Sequence, residues 1–231
     1  KLSLLDNIKM VFICNDLKKS WYNYYNKSHT NTSVILNAYD GDVFFKSKKN
    51  KSKNKSINIT SIGSISLLKG QKRVLLALSL LKNNKIFNYS TIGSGTEKNI
   101  SQLHEIAVKN NLNYQHYGLL SSSEIRNILS EVDYMILPSS SEGFGLVFIE
   151  SIACGVPVIL PKNLPIVGEK FINENNSILL NDSSVISIKN VLMKLSNYKF
   201  NSTNVSKTVV SLTWEEISKQ YSELISSKLY E

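Results

Sequence analysis

Two carboxylates, Glu142 and Glu150, are separated by seven residues in the segment PSSSEGFGLVFIESIACGVPVI. Around Glu150 lie Leu146, Val147, Phe148, Ile149, Ile152 and Ala153, so it belongs to a helix that is apolar nearly all round, the kind that is normally buried. Burying an ionised carboxylate without a partner costs several kcal/mol. Glu150 therefore needs either an internal Arg, Lys or Tyr, or the hydroxyl donors of a ligand such as a ribose diol. Gly143 and Gly145 remove side chains where the chain enters that helix. Backbone N–H groups and the positive end of the helix dipole could meet an anion there; simple turn geometry is the plain alternative. A sugar diphosphate, anionic and rich in hydroxyls, satisfies both requirements.

The elements that must position these groups are legible as a rhythm. Short apolar runs at 57–62, 87–92, 114–117, 134–137, 156–160 and 177–180 read as strands. Between them, 71–82, 97–110, 122–131, 146–153 and 187–196 carry apolar residues at helical spacing. This alternation predicts an α/β fold with a doubly wound parallel sheet. Several strands run into Gly or Ser: Gly63-Ser64, Gly93-Ser94-Gly95, Gly118 and the stretch 139–145. In open parallel sheets, ligands sit outside the carboxyl ends of the strands, where such loops and helix N-termini converge.

Residues 1–50 differ. Strand candidates at 10–14 and 33–36 flank a polar and aromatic stretch at 21–25, and two strands with a helix cannot close a core alone. They read as the tail of a preceding, partial N-terminal domain with its hinge, leaving 51–231 as the Rossmann-like domain. The chain starts at Lys1 as if cut from something longer, and no secretory signal is expected. Its last segment, 213–229, has the spacing of an amphipathic terminal helix that needs something to pack on.

With 231 residues, 42% hydrophobic and 19% charged, the chain has ordinary globular composition. Its apolar runs are far shorter than the roughly 20 residues a membrane-spanning helix needs. Cys14 and Cys154 lack companions at ligand spacing, so neither a disulfide framework nor a zinc site is expected. A reducing cytoplasm fits. The abundance of Lys, Asn, Ile and Ser reads as a low-GC coding bias and points to a bacterial source. The net charge of +9 admits nucleic acid, an anionic membrane surface or anionic substrates. Much of it sits in the lysine run 46–55, which lacks interleaved aromatics and reads as a solvated loop, so no nucleic-acid partner is expected. Asp40-Gly41-Asp42 mimics an Asp-x-Asp metal motif outside any matching fold, and no metal is expected. His29, His104 and His116 are scattered, and Gly93-x-Gly95 lacks the third glycine of a dinucleotide fingerprint.

The segment EGFGLVFIESIACGVPVI resembles the Glu-x7-Glu motif of the group 1 glycosyltransferases, glycosyltransferase family 4, in the form E-G-F-G-x3-x-E-A-x-A-x-G-x-P-V. It departs at Ser151, where the family usually has Ala. IGSISLLKG (62–70) is similar to the family's glycine loop with its Lys-Gly, TIGSG (91–95) to the second-strand loop, and LNAYDGDVF (36–44) to the hinge between two Rossmann-like domains. The resemblance implies the C-terminal, donor-binding half of a B-type retaining enzyme. It places Glu142 and the Gly143-Phe144-Gly145 backbone near the donor sugar, Val147 near the diphosphate, and Glu150 on the ribose. Gly63 and Ser64 would line the donor site, and Lys69 would neutralise phosphate. Ser64 stands where the family commonly has an Arg.

The resemblance further implies transfer, with retention, from a UDP- or GDP-linked sugar to a glycan or lipid-linked acceptor, without cofactor or metal. The expected setting is bacterial surface polysaccharide or lipopolysaccharide synthesis in the cytoplasm, with peripheral contact at the inner face of an anionic membrane. A non-catalytic nucleotide-sugar-binding or scaffolding domain is the alternative.

Overall fold

The computed structural model describes residues 8–26, 31–47 and 56–226. The part of the lysine run beyond Ser47, His29 and the last residues expected of the terminal helix lie outside the described residues. A small parallel pair joins β1 (Met10–Phe12), through α1 (Asn15–Tyr25), to β2 (Thr32–Val34). There follow β3 (Ile57–Ile62), α2 (Gln71–Ser79), β4 (Phe87–Ile92), α3 (Glu97–Lys109), β5 (Asn113–His116), α4 (Ser122–Leu129) and β6 (Tyr134–Ile136). Then come α5 (Leu146–Ala153), β7 (Val158–Pro161), β8 (Ser177–Leu180), α6 (Val185–Leu192), α7 (Ser202–Lys207) and α8 (Trp214–Ser226).

The larger sheet has six strands in the order β5-β4-β3-β6-β7-β8, all parallel. This is the doubly wound α/β fold that the alternating pattern predicts. Side chains alternate between two cores, as a pleated strand requires. Ile59 and Tyr89 meet Val74, Leu75 and Leu78 of α2 and Leu103 of α3 on one face. Ile62 and Ile92 meet Phe148, Ile149 and Ile152 of α5 on the other. Burial on both faces explains why the central strands read as apolar runs. From β3 the chain winds one way to β4 and β5, then returns past β3 to β6 and winds the other way. The helices that follow β3 and β6 therefore pack on opposite faces of the sheet, and the crevice expected at the carboxyl ends of such neighbouring strands is bridged by Ser140 N donating to the Leu68 carbonyl (2.8 Å).

Several element ends differ from the sequence reading. β1 stops at Phe12, and Cys14 becomes the N-cap of α1, although its side chain caps nothing. The buried Glu169 supplies the cap: Asn15 donates its backbone N–H (2.7 Å) and its Nδ2 (3.0 Å) to the two carboxylate oxygens. This places a negative charge at the positive end of the helix dipole. α2 ends at Ser79 because Leu80 and Leu81 turn back to the carbonyls of Ala77 and Leu78. α6 starts two residues before the expected 187, because Ser184 caps it by accepting from the Ser187 N–H. The short α7, not expected from sequence, is nucleated by Asn201, whose side chain accepts from the N–H groups of Thr203 and Asn204.

Cys14, Ile35, Ala38, Tyr39 and Phe44 share the α5-side core. Tyr39 bridges to Thr213 at the start of α8, whose Ile217 is buried there too. No helix among the described residues is long and apolar enough to cross a membrane.

Candidate active site

The loop after β3 is held from inside by Gln71, which is fully buried at the first position of α2. Its Nε2 donates to the carbonyls of Gly63 (3.3 Å) and Ser64 (3.0 Å), and its Oε1 accepts from the Ser66 N–H (3.4 Å). Neighbouring loops close on the same rim: Ile65 N donates to Ser94 O (2.6 Å), and Gly93 N to Gly118 O (2.7 Å). Gly93 has no room for a side chain, since a Cβ would stand 2.2 Å from the Gly63 carbonyl oxygen. Ser64 is exposed and brings no charge to this loop.

Lys69 extends across Gly63 and reaches the loop after β6, where its Nζ donates to both carboxylate oxygens of Glu142 at 2.7 Å. The two side chains are only 22% and 8% exposed. A two-oxygen, partly desolvated ion pair is stronger than a surface pair of the same length. Sequence treats Lys69 and Glu142 as separate candidates; the structure makes them one unit across the crevice.

Beyond Glu142, Gly143 is exposed with open space around its missing Cβ, whereas Phe144 is buried with its ring against Phe171 (centroids 6.5 Å apart). Phe144 thus presents only backbone to a ligand. Gly145 is the N-cap of α5 in a left-handed conformation. Phe148, Ile149, Ser151, Ile152 and Ala153 are buried, while Leu146, Val147 and Glu150 remain partly exposed. Residues three and four apart share a helix face, so Val147 and Glu150 occupy the one face that α5 leaves open. Ser151, the departure from the family's Ala, donates its hydroxyl to the Val147 carbonyl (2.7 Å) and burdens the core with no unpaired group.

Glu150 forms no side-chain hydrogen bond or ion pair among the described residues, and burial raises its pKa to about 6. Of the partners left open for it, no Arg, Lys or Tyr bonds to its carboxylate among the described residues. Burial likewise pushes the Cys154 thiol up to about 12, which removes thiolate chemistry at that position. Asp40 is used in a turn, accepting from the Asp42 N–H at 3.0 Å. No cluster of three or more His, Cys, Asp or Glu side chains that could hold a metal is found among the described residues. His104 and His116, remote in sequence, have ring centroids 6.5 Å apart, and His116 Nδ1 lies 2.9 Å from Thr91 Oγ1.

The sequence reading missed Gln71 and Arg73. The guanidinium of Arg73 bonds to the loops after β3 and β6, a role whose only sequence signal is its place four residues after Lys69 in KGQKR.

A family model described as glycosyl transferases group 1 matches residues 42–207. The chain belongs to this family. It is 30% identical over 153 residues to an uncharacterized glycosyltransferase of Methanocaldococcus jannaschii, covering 66% of this chain and 41% of that one. It is 34% identical over 143 residues to the O-antigen biosynthesis glycosyltransferase WclY of Escherichia coli, covering 60% of this chain and 39% of that one. The chain therefore spans under half the length of these curated relatives. HepE of Anabaena, solved with UDP and glucose, shares the fold with a TM-score of 0.77 at 16% identity, over 98% of this chain and 65% of that one.

Proposed function

We propose that this chain is the donor half of a retaining glycosyltransferase that moves a sugar from a UDP- or GDP-linked donor to a glycan or lipid-linked acceptor. The observation that carries this reading is Glu150: a desolvated carboxylate without a partner among the described residues, on the partly exposed face of the helix that follows the Glu142 loop. A ribose diol supplies the two donors it lacks, and a diphosphate suits the Lys69 ammonium and the N-terminus of α5. As the glycosidic C–O bond breaks, the leaving diphosphate oxygen takes up negative charge. Lys69 and the loop amides would stabilise that charge electrostatically, without a metal.

Glu142 and the exposed backbone at Gly143 would face the sugar, with Val147 against the diphosphate and Gly63 and Ser64 along the donor. The domain division at about residue 50 belongs to this reading. So does a place in bacterial surface polysaccharide or lipopolysaccharide synthesis, supported by the O-antigen relative. The net charge of +9 supports contact with the anionic inner face of a membrane, where lipid-linked acceptors lie, and a cytoplasmic location belongs to the same reading. A non-catalytic nucleotide-sugar-binding domain is favoured by one observation, the uncharged Ser64, and predicts donor binding without turnover. Proton NMR of the sugar product tests the main reading: the donor's anomeric configuration is expected to be kept, and an inverted product contradicts it.

A further inference from the structure

Arg73 lies in the first turn of α2, and its three hydrogen bonds reach two different loops. Nη1 donates to the carbonyl of Leu67 (2.8 Å), in the loop that carries Lys69. Nη2 donates to the carbonyl of Pro138 (2.6 Å) and to Ser140 Oγ (3.2 Å), in the loop that carries Glu142. Gly70 makes room for this crossing, since a Cβ there would stand 2.5 Å from Nη2 and 2.8 Å from the Pro138 carbonyl oxygen. The arrangement leaves Arg73 Nε buried without a partner, and no carboxylate pairs with the guanidinium among the described residues. Burial lowers the pKa of Arg73, yet a guanidinium stays charged at any physiological pH. Its charge is thus turned toward carbonyl dipoles and the Ser140 hydroxyl, with no counter-ion among the described residues.

We infer that Arg73 is a positioning residue of the donor site: together with the direct bond from Ser140 N to the Leu68 carbonyl (2.8 Å), its planar fork fixes how the Lys69 and Glu142 loops lie against each other. Its uncompensated charge adds to the field that attracts a diphosphate. This rests on the donor site proposed above. Lysine cannot replace it, because a point ammonium cannot serve acceptors on two loops in one plane.

The test is calorimetric titration of UDP, with GDP in parallel, into the wild type, Arg73→Lys, Arg73→Ala and Lys69→Met, with each variant's melting point recorded. Arg73→Lys is expected to fold and to bind the nucleotide about tenfold more weakly, the loss of one or two charge-assisted bonds that order the site. Millimolar guanidinium is expected to restore binding to Arg73→Ala and not to Lys69→Met, a rescue that general destabilisation would not give. If Lys69→Met weakens binding while Arg73→Lys binds like the wild type, the donor site stands and this inference falls. If the wild type binds neither nucleotide, the proposed function itself falls and the inference with it.

Discussion

Glu142 holds Lys69 through both of its oxygens at 2.7 Å, so a diphosphate arriving at Lys69 must compete with a carboxylate already in place. Glu142→Gln removes the charge that competes. It is expected to tighten UDP binding by about threefold to tenfold, at the scale of a weakened partly buried ion pair, while lowering sugar transfer. Calorimetry reads the first effect, and weaker UDP binding in the variant would show that the pair does not oppose the donor. Glu150 has the reverse character. Burial raises its pKa to about 6, so the folded chain binds the proton more tightly than the unfolded chain. The associated stability is fully present below the ordinary carboxylate range and is lost as pH rises through about 6. Above that pH the charge is kept at a cost to the ligand-free fold, which is the usual signature of a group retained for binding. The need for a partner was legible in the sequence, from the apolar neighbours of Glu150. The Lys69–Glu142 pair was not, because 73 positions separate the two residues and only the strand order brings them together.

At the scale of elements, the rim depends on how closely the loops after β3 and β4 approach. At Gly93, with φ +137°, a Cβ would lie 2.2 Å from the Gly63 carbonyl oxygen and 2.7 Å from its carbon. Gly93→Ala is expected to cost about 2–4 kcal/mol, from forbidden backbone geometry and a clash with main chain. Thermal unfolding should show a drop of several degrees together with loss of nucleotide binding; a variant that melts like the wild type would mean the rim has slack. Most helices and strands were readable because two-sided burial writes apolar runs and one-sided burial writes helical spacing. α7 was not readable: its sequence, STNVSK, buries only Val205, and its existence rests on the cap from Asn201. The start of α6 was misplaced for a related reason, since only the Ser184 side chain marks where it begins. Capping bonds decide these boundaries, and periodicity does not report them.

For the whole molecule, the strand order β5-β4-β3-β6-β7-β8 turns a list of motifs into a site. The glycine loop and the Glu142 loop are far apart in sequence, and only reversal of the winding direction between β3 and β6 puts them face to face. The alternation of elements gave the fold class, but long-range pairing decides which loops meet. The described part of residues 1–50 is tied to the larger unit by the Glu169 cap on α1 and by Tyr39 against Thr213, neither of which local pattern reveals. The proposed donor site stands or falls on whether Glu150 awaits a nucleotide. The most direct measurement is thermal unfolding at pH 7.5 of the wild type and Glu150→Gln, with and without saturating UDP or GDP. Ligand at 100 times its dissociation constant adds about 2.7 kcal/mol, several degrees for a domain of this size. Glu150→Gln is expected to melt higher than the wild type without ligand, and one nucleotide is expected to raise the wild type by several degrees and the variant by far less. An equal nucleotide shift in both proteins, or a variant that melts lower without ligand, would contradict a donor site built on Glu150.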